Sequence, residues 1–140
     1  DAMIAVMGPV ASLRAVSERH AIQVPIDDTT FASLKFKNGV TGVLTTIFAT
    51  HMLWRIQVFG SLGWAEVHGQ ENFEMCLLDG TKTVDAFPGV DIERAELEAF
   101  ADTVSKGAVF PVPLADAIHG IEILDAVVAA SKQGIEVKLP

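Results

Sequence analysis

A chain of 140 residues, half of them apolar and only 20% charged, has the length of one ordinary domain and a composition that excludes intrinsic disorder. Eighteen acidic against ten basic residues give a formal charge of −8, which argues against nucleic acid and anionic membranes as partners. Gly39–Ala49 and Ala126–Ala130 are too short or too interrupted to span a bilayer, and one cysteine, Cys76, with no leader pattern in the opening residues, reads as a cytoplasmic protein.

The sequence opens Asp1-Ala2-Met3-Ile4-Ala5-Val6-Met7 and then stops a helix with Gly8-Pro9. Two turns of helix are not stable alone, so Asp1–Met7 is expected to be the end of a longer helix that begins upstream, with a frayed terminal turn as the alternative. From Val10 to Ala86 the apolar period is two. Leu13–Glu18 reads as a strand, and Thr30–Lys37 as another, with Ala32, Leu34 and Phe36 on one face. Asn38-Gly39 is a preferred hairpin centre because both residues tolerate positive φ, and Val40–Ala49 is the return strand. Leu53–Phe59 and Trp64–His68 flank Gly60-Ser61-Leu62-Gly63, and Asn72–Leu78 and Thr81–Asp85 flank Asp79-Gly80. Successive hairpin signals predict an antiparallel meander of about six strands.

Beyond Pro88-Gly89 the period becomes 3.6. Asp91 can cap a helix carrying Leu97, Phe100, Ala101 and Val104 on one side and ending at Lys106-Gly107. Phe110-Pro111-Val112-Pro113 is an extended connector, because each proline disfavours helix in the residue before it. Leu114–Lys132 is a longer helix with Leu114, Ala117, Ile118, Ile121, Leu124 and Val128 as its apolar stripe, and Gly120 inside it suggests close approach of another backbone. Ile135–Leu139 alternates like a final strand. The expected class is α+β: a largely antiparallel sheet with two helices on one face. Val43, Thr45 and Ile47 make the second face of their strand apolar or small, so that face is expected to stay open for another protein surface.

No complete active site is legible. His51, Trp54 and Arg55 could bind a polar or carboxylate ligand from a strand-end loop, or simply form a surface loop whose tryptophan packs on the sheet. Asp116, His119 and Glu122 recur every three residues on the long helix; they could orient an imidazole or, with outside help, hold a metal, but a solvated helix face is the plainer reading. His20 and His68 are expected to face solvent, and Cys76, with no basic residue beside it in sequence, to be a buried, inert thiol. The glycines form neither G-x-G-x-x-G nor a P-loop, and no second His, Cys or carboxylate cluster at metal-ligand spacing accompanies Asp116, His119 and Glu122.

The runs Asp28–Leu44, with Phe36-Lys37-Asn38-Gly39 at its centre, and Ile56-Gln57-Val58-Phe59-Gly60-Ser61-Leu62-Gly63-Trp64-Ala65-Glu66-Val67 resemble the C-terminal domain of the GFO/IDH/MocA family of NAD(P)-dependent oxidoreductases. Glu98–Asp102 and Phe110–Pro113 through Ile135–Val137 match the ending of that domain, so the resemblance covers essentially the whole chain. It implies a two-domain protein in which a Rossmann domain holds NAD or NADP and the sheet domain completes the substrate pocket and builds a homo-oligomer. It further implies hydride transfer on a sugar- or cyclitol-like alcohol or carbonyl. The family's catalytic lysine lies in an E-K-P motif and its aspartate and histidine in D-x-G-x-H. Neither is found here, and Asp1 resembles the acidic residue just after that histidine. On this reading residues 1–140 are a single substrate and oligomerisation domain, without catalytic or cofactor-binding residues, and inactive alone. His51, Trp54 and Arg55 are the first substrate-contact candidates and His119 the second. A stand-alone ligand-binding or dimerisation module and a small hydrolase or isomerase built on His51 or His119 are the rival readings.

Overall fold

The computed structural model describes all residues from Asp1 to Pro140. Its elements are α1 (Ala2–Met7), β1 (Val10–Glu18), β2 (Thr29–Phe36), β3 (Thr41–Ile47), β4 (Arg55–Gly60), β5 (Gly63–His68), β6 (Asn72–Leu77), β7 (Lys82–Ala86), α2 (Ile92–Lys106), α3 (Leu114–Gln133) and β8 (Val137–Lys138). The α+β class and the antiparallel hairpins follow the sequence pattern. The single meander does not: eight strands form two four-stranded sheets, ordered β3-β2-β1-β8 and β4-β5-β6-β7. The ladder breaks between Phe48 and Trp54, where His51, Met52 and Leu53 are exposed and no strand pairing continues. The chain accordingly divides into two compact units, Asp1–His51 with Val112–Pro140, and Met52–Pro111.

The first unit holds all the fully buried apolar residues. Val10, Leu13 and Ala15 of β1 and Ala32, Leu34 and Phe36 of β2 face Ile123, Ala126 and Ala130 of α3 and Ile4 of α1. The register puts Leu13 opposite Leu34 and Ala15 opposite Ala32, so one face of the sheet is continuous core. A register shift between Val10 and Ser12 turns the start of β1, so that Val10 shares the core side with Leu13. The apolar stripe expected on α3 is not its buried face. The large residues Leu114, Ile118, Ile121, Leu124 and Val128 are exposed, while small Ala126 and Ala130 lie against β1 and β2. Alanine permits a close approach between helix and sheet, and a helix that is apolar nearly all round gives no periodic sign of which face is used. The partner that meets Gly120 is the Asp1 side chain, whose Oδ1 lies 3.4 Å from where a Cβ would stand, rather than a backbone.

On its other face this sheet is open. Val16 and Phe31 are opposite each other on β1 and β2, Phe31 opposes Thr45 on β3, and Ser33 opposes Val43. Val16, Phe31, Val43 and Ile47 are all exposed, at 56, 48, 69 and 47%. Arg14, Lys35 and Lys138 gather at one end of the face around Glu136, whose carboxyl is held below the usual range by the Ser12 hydroxyl and then by those cations.

In the second unit β4 to β7 form a regular meander, with Gly60-Ser61-Leu62-Gly63 and Leu78-Asp79-Gly80 at its turns. Asp91 caps α2 through a 3.0 Å bond from the Arg94 amide, and Gly107 closes it in the left-handed region at φ 69°. No residue of the unit is fully buried. Leu97, Phe100 and Val104 remain exposed; Phe100 meets Phe110 edge-on at 6.4 Å. Within the first unit, α1 and α3 contribute to the core against β1 and β2.

Candidate functional site

The loop candidates fall on the break in the ladder. His51 closes the first unit, and Trp54 and Arg55 open the second, with Met52 and Leu53 between them. His51, Trp54 and Arg55 are exposed. Arg55 is the first residue of β4 and stands opposite His68 on β5, which in turn stands opposite Asn72 on β6. This row places a guanidinium, an imidazole and a carboxamide on one sheet edge. From the sequence alone His68 is expected only to face solvent; its partners depend on the register, which the intervening Gly60–Gly63 turn fixes. The Trp54 carbonyl accepts the Gly69 amide at 2.8 Å, extending the β4–β5 pairing by one step.

His119 is positioned quite differently. It lies in α3 one turn before Ile123, 8% exposed, and its Nε2 accepts the Val10 amide at 2.9 Å. A backbone N–H can only donate, so Nε2 carries the lone pair and the ring proton is on Nδ1, which points to Glu122 Oε2 at 3.1 Å. The Asp116/His119/Glu122 triplet is therefore not a solvated helix face: Glu122 orients a buried imidazole, and both ring nitrogens are engaged within the chain.

The most heavily bonded polar side chain was singled out by no spacing rule. Asp28, 3% exposed, accepts the amides of His20, Ala21 and Ile22 at 2.7 to 3.1 Å and the Thr29 hydroxyl at 2.9 Å. These bonds, led by the Ile22 and Ala21 amides, hold its carboxyl far below the usual range. They fix the Arg19–Asp27 loop at the end of β1. A cleft of about 380 Å³ opens beside this loop, lined by Ser17, Asp27 and Thr30 on one side and Leu124, Val128 and Ser131 of α3 on another.

Cys76 is half-buried rather than buried. Across β6 and β7 it stands opposite Lys82, a basic neighbour invisible in the linear sequence, whose ammonium is bonded to Glu74 at 2.7 Å. No group of three or more His, Cys, Asp or Glu side chains is arranged to hold a metal ion. Every strand pairing is antiparallel, so the parallel strand, glycine turn and helix that seat a dinucleotide pyrophosphate are not built by this chain. No helix is long and apolar enough to cross a membrane.

Residues 1–139 match the family model for the C-terminal α/β domain of the GFO/IDH/MocA oxidoreductases. The chain belongs to that family. Solved structures share its fold at low identity. The aldose-aldose oxidoreductase from Caulobacter crescentus, solved with glycerol, superposes with a TM-score of 0.82 at 19% identity over 99% of this chain and 44% of its own. An oxidoreductase from Agrobacterium radiobacter, in complex with NAD+, L-tartaric acid and magnesium, gives 0.81 at 21% identity over 97% and 45%. The WlbA dehydrogenase from Bordetella pertussis, in complex with NADH and UDP-GlcNAcA, gives 0.75 at 17% over 99% and 41%. The GFO/IDH/MocA domain described here thus spans less than half the length of these relatives. No curated protein sequence matches it significantly.

Proposed function

We propose that residues 1–140 act as the substrate and oligomerisation domain of a two-domain, cytoplasmic oxidoreductase whose other part is a Rossmann domain carrying NAD or NADP. The full-length protein then transfers hydride between the nicotinamide and a hydroxylated small molecule, a sugar- or cyclitol-like alcohol or carbonyl. The observation that carries this reading is the family match across residues 1–139, in a chain with no dinucleotide-binding unit of its own. Relatives solved with NAD+ or NADH and with hydroxylated or sugar-nucleotide ligands support the substrate class. Since the residues present do not fit a dinucleotide, the chemical step belongs to groups outside this chain, and the chain alone is expected to be inactive.

The proposed substrate contacts are His51, Trp54 and Arg55, each of them exposed. An arginine offers a charge-fixed fork for a carboxylate or vicinal hydroxyls, an imidazole donates or accepts, and an indole presents a flat apolar face to a sugar ring. His119 plays no part in this proposal, because its nitrogens are already bonded inside the chain. The proposed homo-oligomer forms through the open face of β1–β3, where Val16, Phe31, Val43 and Ile47 stand exposed. The outward stripe of α3 is a second apolar surface, so two partners, a second subunit and the Rossmann domain, have two surfaces to cover.

The experiment is steady-state kinetics of the intact protein with a nicotinamide cofactor and a polyol or sugar panel. His51→Ala and Arg55→Ala are each expected to raise KM about tenfold, the scale of one lost charged hydrogen bond. Unchanged kinetics in both variants would reject the loop as a substrate site. Absence of cofactor-dependent turnover with every member of the panel would reject the substrate class.

A further inference from the structure

We propose that His119 is a proton-sensitive latch that fastens the α1–β1 junction to α3. The junction turns at Gly8, at φ 81°, and Pro9, and places Val10, 1% exposed, at the start of β1. Val10 stands opposite Phe36 in the register, just before the ladder shifts, and its amide donates not to a strand carbonyl but to His119 Nε2 of α3. The other ties at the junction come from the β2–β3 turn: the Lys37 amide bonds the Pro9 carbonyl and the Asn38 carboxamide bonds the Met7 carbonyl, each at 2.9 Å. His119 thus ties this corner by a hydrogen bond to the helix that supplies Ile123, Ala126 and Ala130 to the core.

The bond depends on one lone pair. A proton taken from solvent occupies Nε2 and turns the acceptor into a donor, so two N–H groups face each other in a buried place and the Val10 amide loses its partner. No other bond is made or broken covalently, and no second reactant is needed. The Nδ1–H to Glu122 bond survives protonation and becomes an ion pair. The groups around the ring are known from each neighbouring element. Glu122 bonds it and Asp116 lies one turn earlier on α3, while Asp1 of α1 lies against Gly120. The core side of β1 presents uncharged Leu13 and Ala15. Arg14 and Lys138 of β1 and β8 are on the open face of the sheet with Glu136, and Lys37 bonds the Pro140 carbonyl. The charged group in direct contact with the imidazole is the Glu122 carboxylate. Acidification releases the junction, leaving the β2–β3 ties in place, so the device loosens α1 without unfolding the sheet.

The test is performed on the intact protein with ¹⁵N-labelled histidine, together with hydrogen exchange of the Gly8–Leu13 segment. At about pH 8 the ring is expected as the Nδ1–H tautomer, the less common form for a free imidazole. Between about pH 8 and about pH 5, exchange of the Val10 amide, corrected for its intrinsic chemistry, is expected to rise at least tenfold. His119→Gln keeps a carbonyl acceptor for the amide but cannot take up a proton, and its exchange is expected to be flat across that range. An Nε2–H tautomer, Val10 protection that is independent of pH in the wild type, or the same pH dependence in His119→Gln would each overturn the latch. The tautomer is read in the wild type, so the outcome stands even where the variant does not fold.

Discussion

Between β1 and β2 the chain turns back around one carboxylate. Asp28 satisfies three consecutive amides and a hydroxyl, and a carboxamide in its place would set its own N–H donors against theirs. Asp28→Asn is therefore expected to lower the melting temperature at neutral pH and to increase proteolysis between Arg19 and Asp27. Because the folded carboxyl sits well below its unfolded value, its stabilisation is complete above about pH 3.9 and is lost as pH falls below it. The wild type should lose stability in that acid range, and Asp28→Asn should lose less; equal acid slopes in urea unfolding would contradict this. Gly63 is a second residue that a single contact explains. Its φ is 147°, and a Cβ there would run into the Cys76 carbonyl oxygen and lie 2.8 Å from Leu77 Cα. Gly63→Ala is expected to destabilise the β4–β5 hairpin by about 1–3 kcal/mol, read from the denaturation midpoint. The glycine was legible in the sequence as a turn residue. The Asp28 network was not, because its donors are backbone amides whose approach depends on the loop's path.

At the scale of elements, legibility depended on whether the cue was local. Asp91 and Gly107 bound α2 where their residue types said they would, and Asn38-Gly39 joins β2 to β3. The β-strand edges moved by only a residue or two for most strands. The face of α3 was a different kind of question, since both sides are apolar and only tertiary packing selects between them. The structure selects the side with His119, Ile123, Ala126 and Ala130. Ala130 is fully enclosed, so Ala130→Leu is expected to cost about 1–3 kcal/mol through overpacking. Leu124→Ala, on the exposed stripe, is expected to change the stability of the isolated chain by no more than about 0.5 kcal/mol. Urea denaturation of both variants checks the assignment: the reverse order of effects would mean that the helix is turned the other way. The same reasoning explains why His119 resisted reading. Three polar residues at helical spacing look solvated until the helix is known to bury their side.

For the whole molecule, the expected open face is present on β1–β3, but the expected continuous meander is replaced by two sheets. A strand count made from hairpin signals cannot show where hydrogen bonding between consecutive strands lapses, and the exposed Phe48–Leu53 stretch carries no turn dipeptide to mark the break. The consequence for function is an excess of uncovered apolar surface. Unit Met52–Pro111 has no fully buried residue, and the first unit exposes both the outer side of its sheet and the outer stripe of α3. Monomers rarely leave several such surfaces bare. The open sheet face also carries its charges at the margins, Arg14, Lys35 and Lys138 with Glu136 at one end and Glu18 at the other, which leaves its centre apolar. That arrangement places the demand for a partner on the centre of the face, at Val43 and Phe31.

Sedimentation equilibrium of the intact protein and of its Val43→Asp variant, at about micromolar concentration, tests this most directly. The expected result is a dimer or larger assembly for the wild type and a folded species of half the mass or less for Val43→Asp, since a carboxylate at the middle of the face cannot be desolvated without a partner. A monomeric wild type, or a variant that assembles as the wild type does, would contradict the proposal that this face is where the subunits meet.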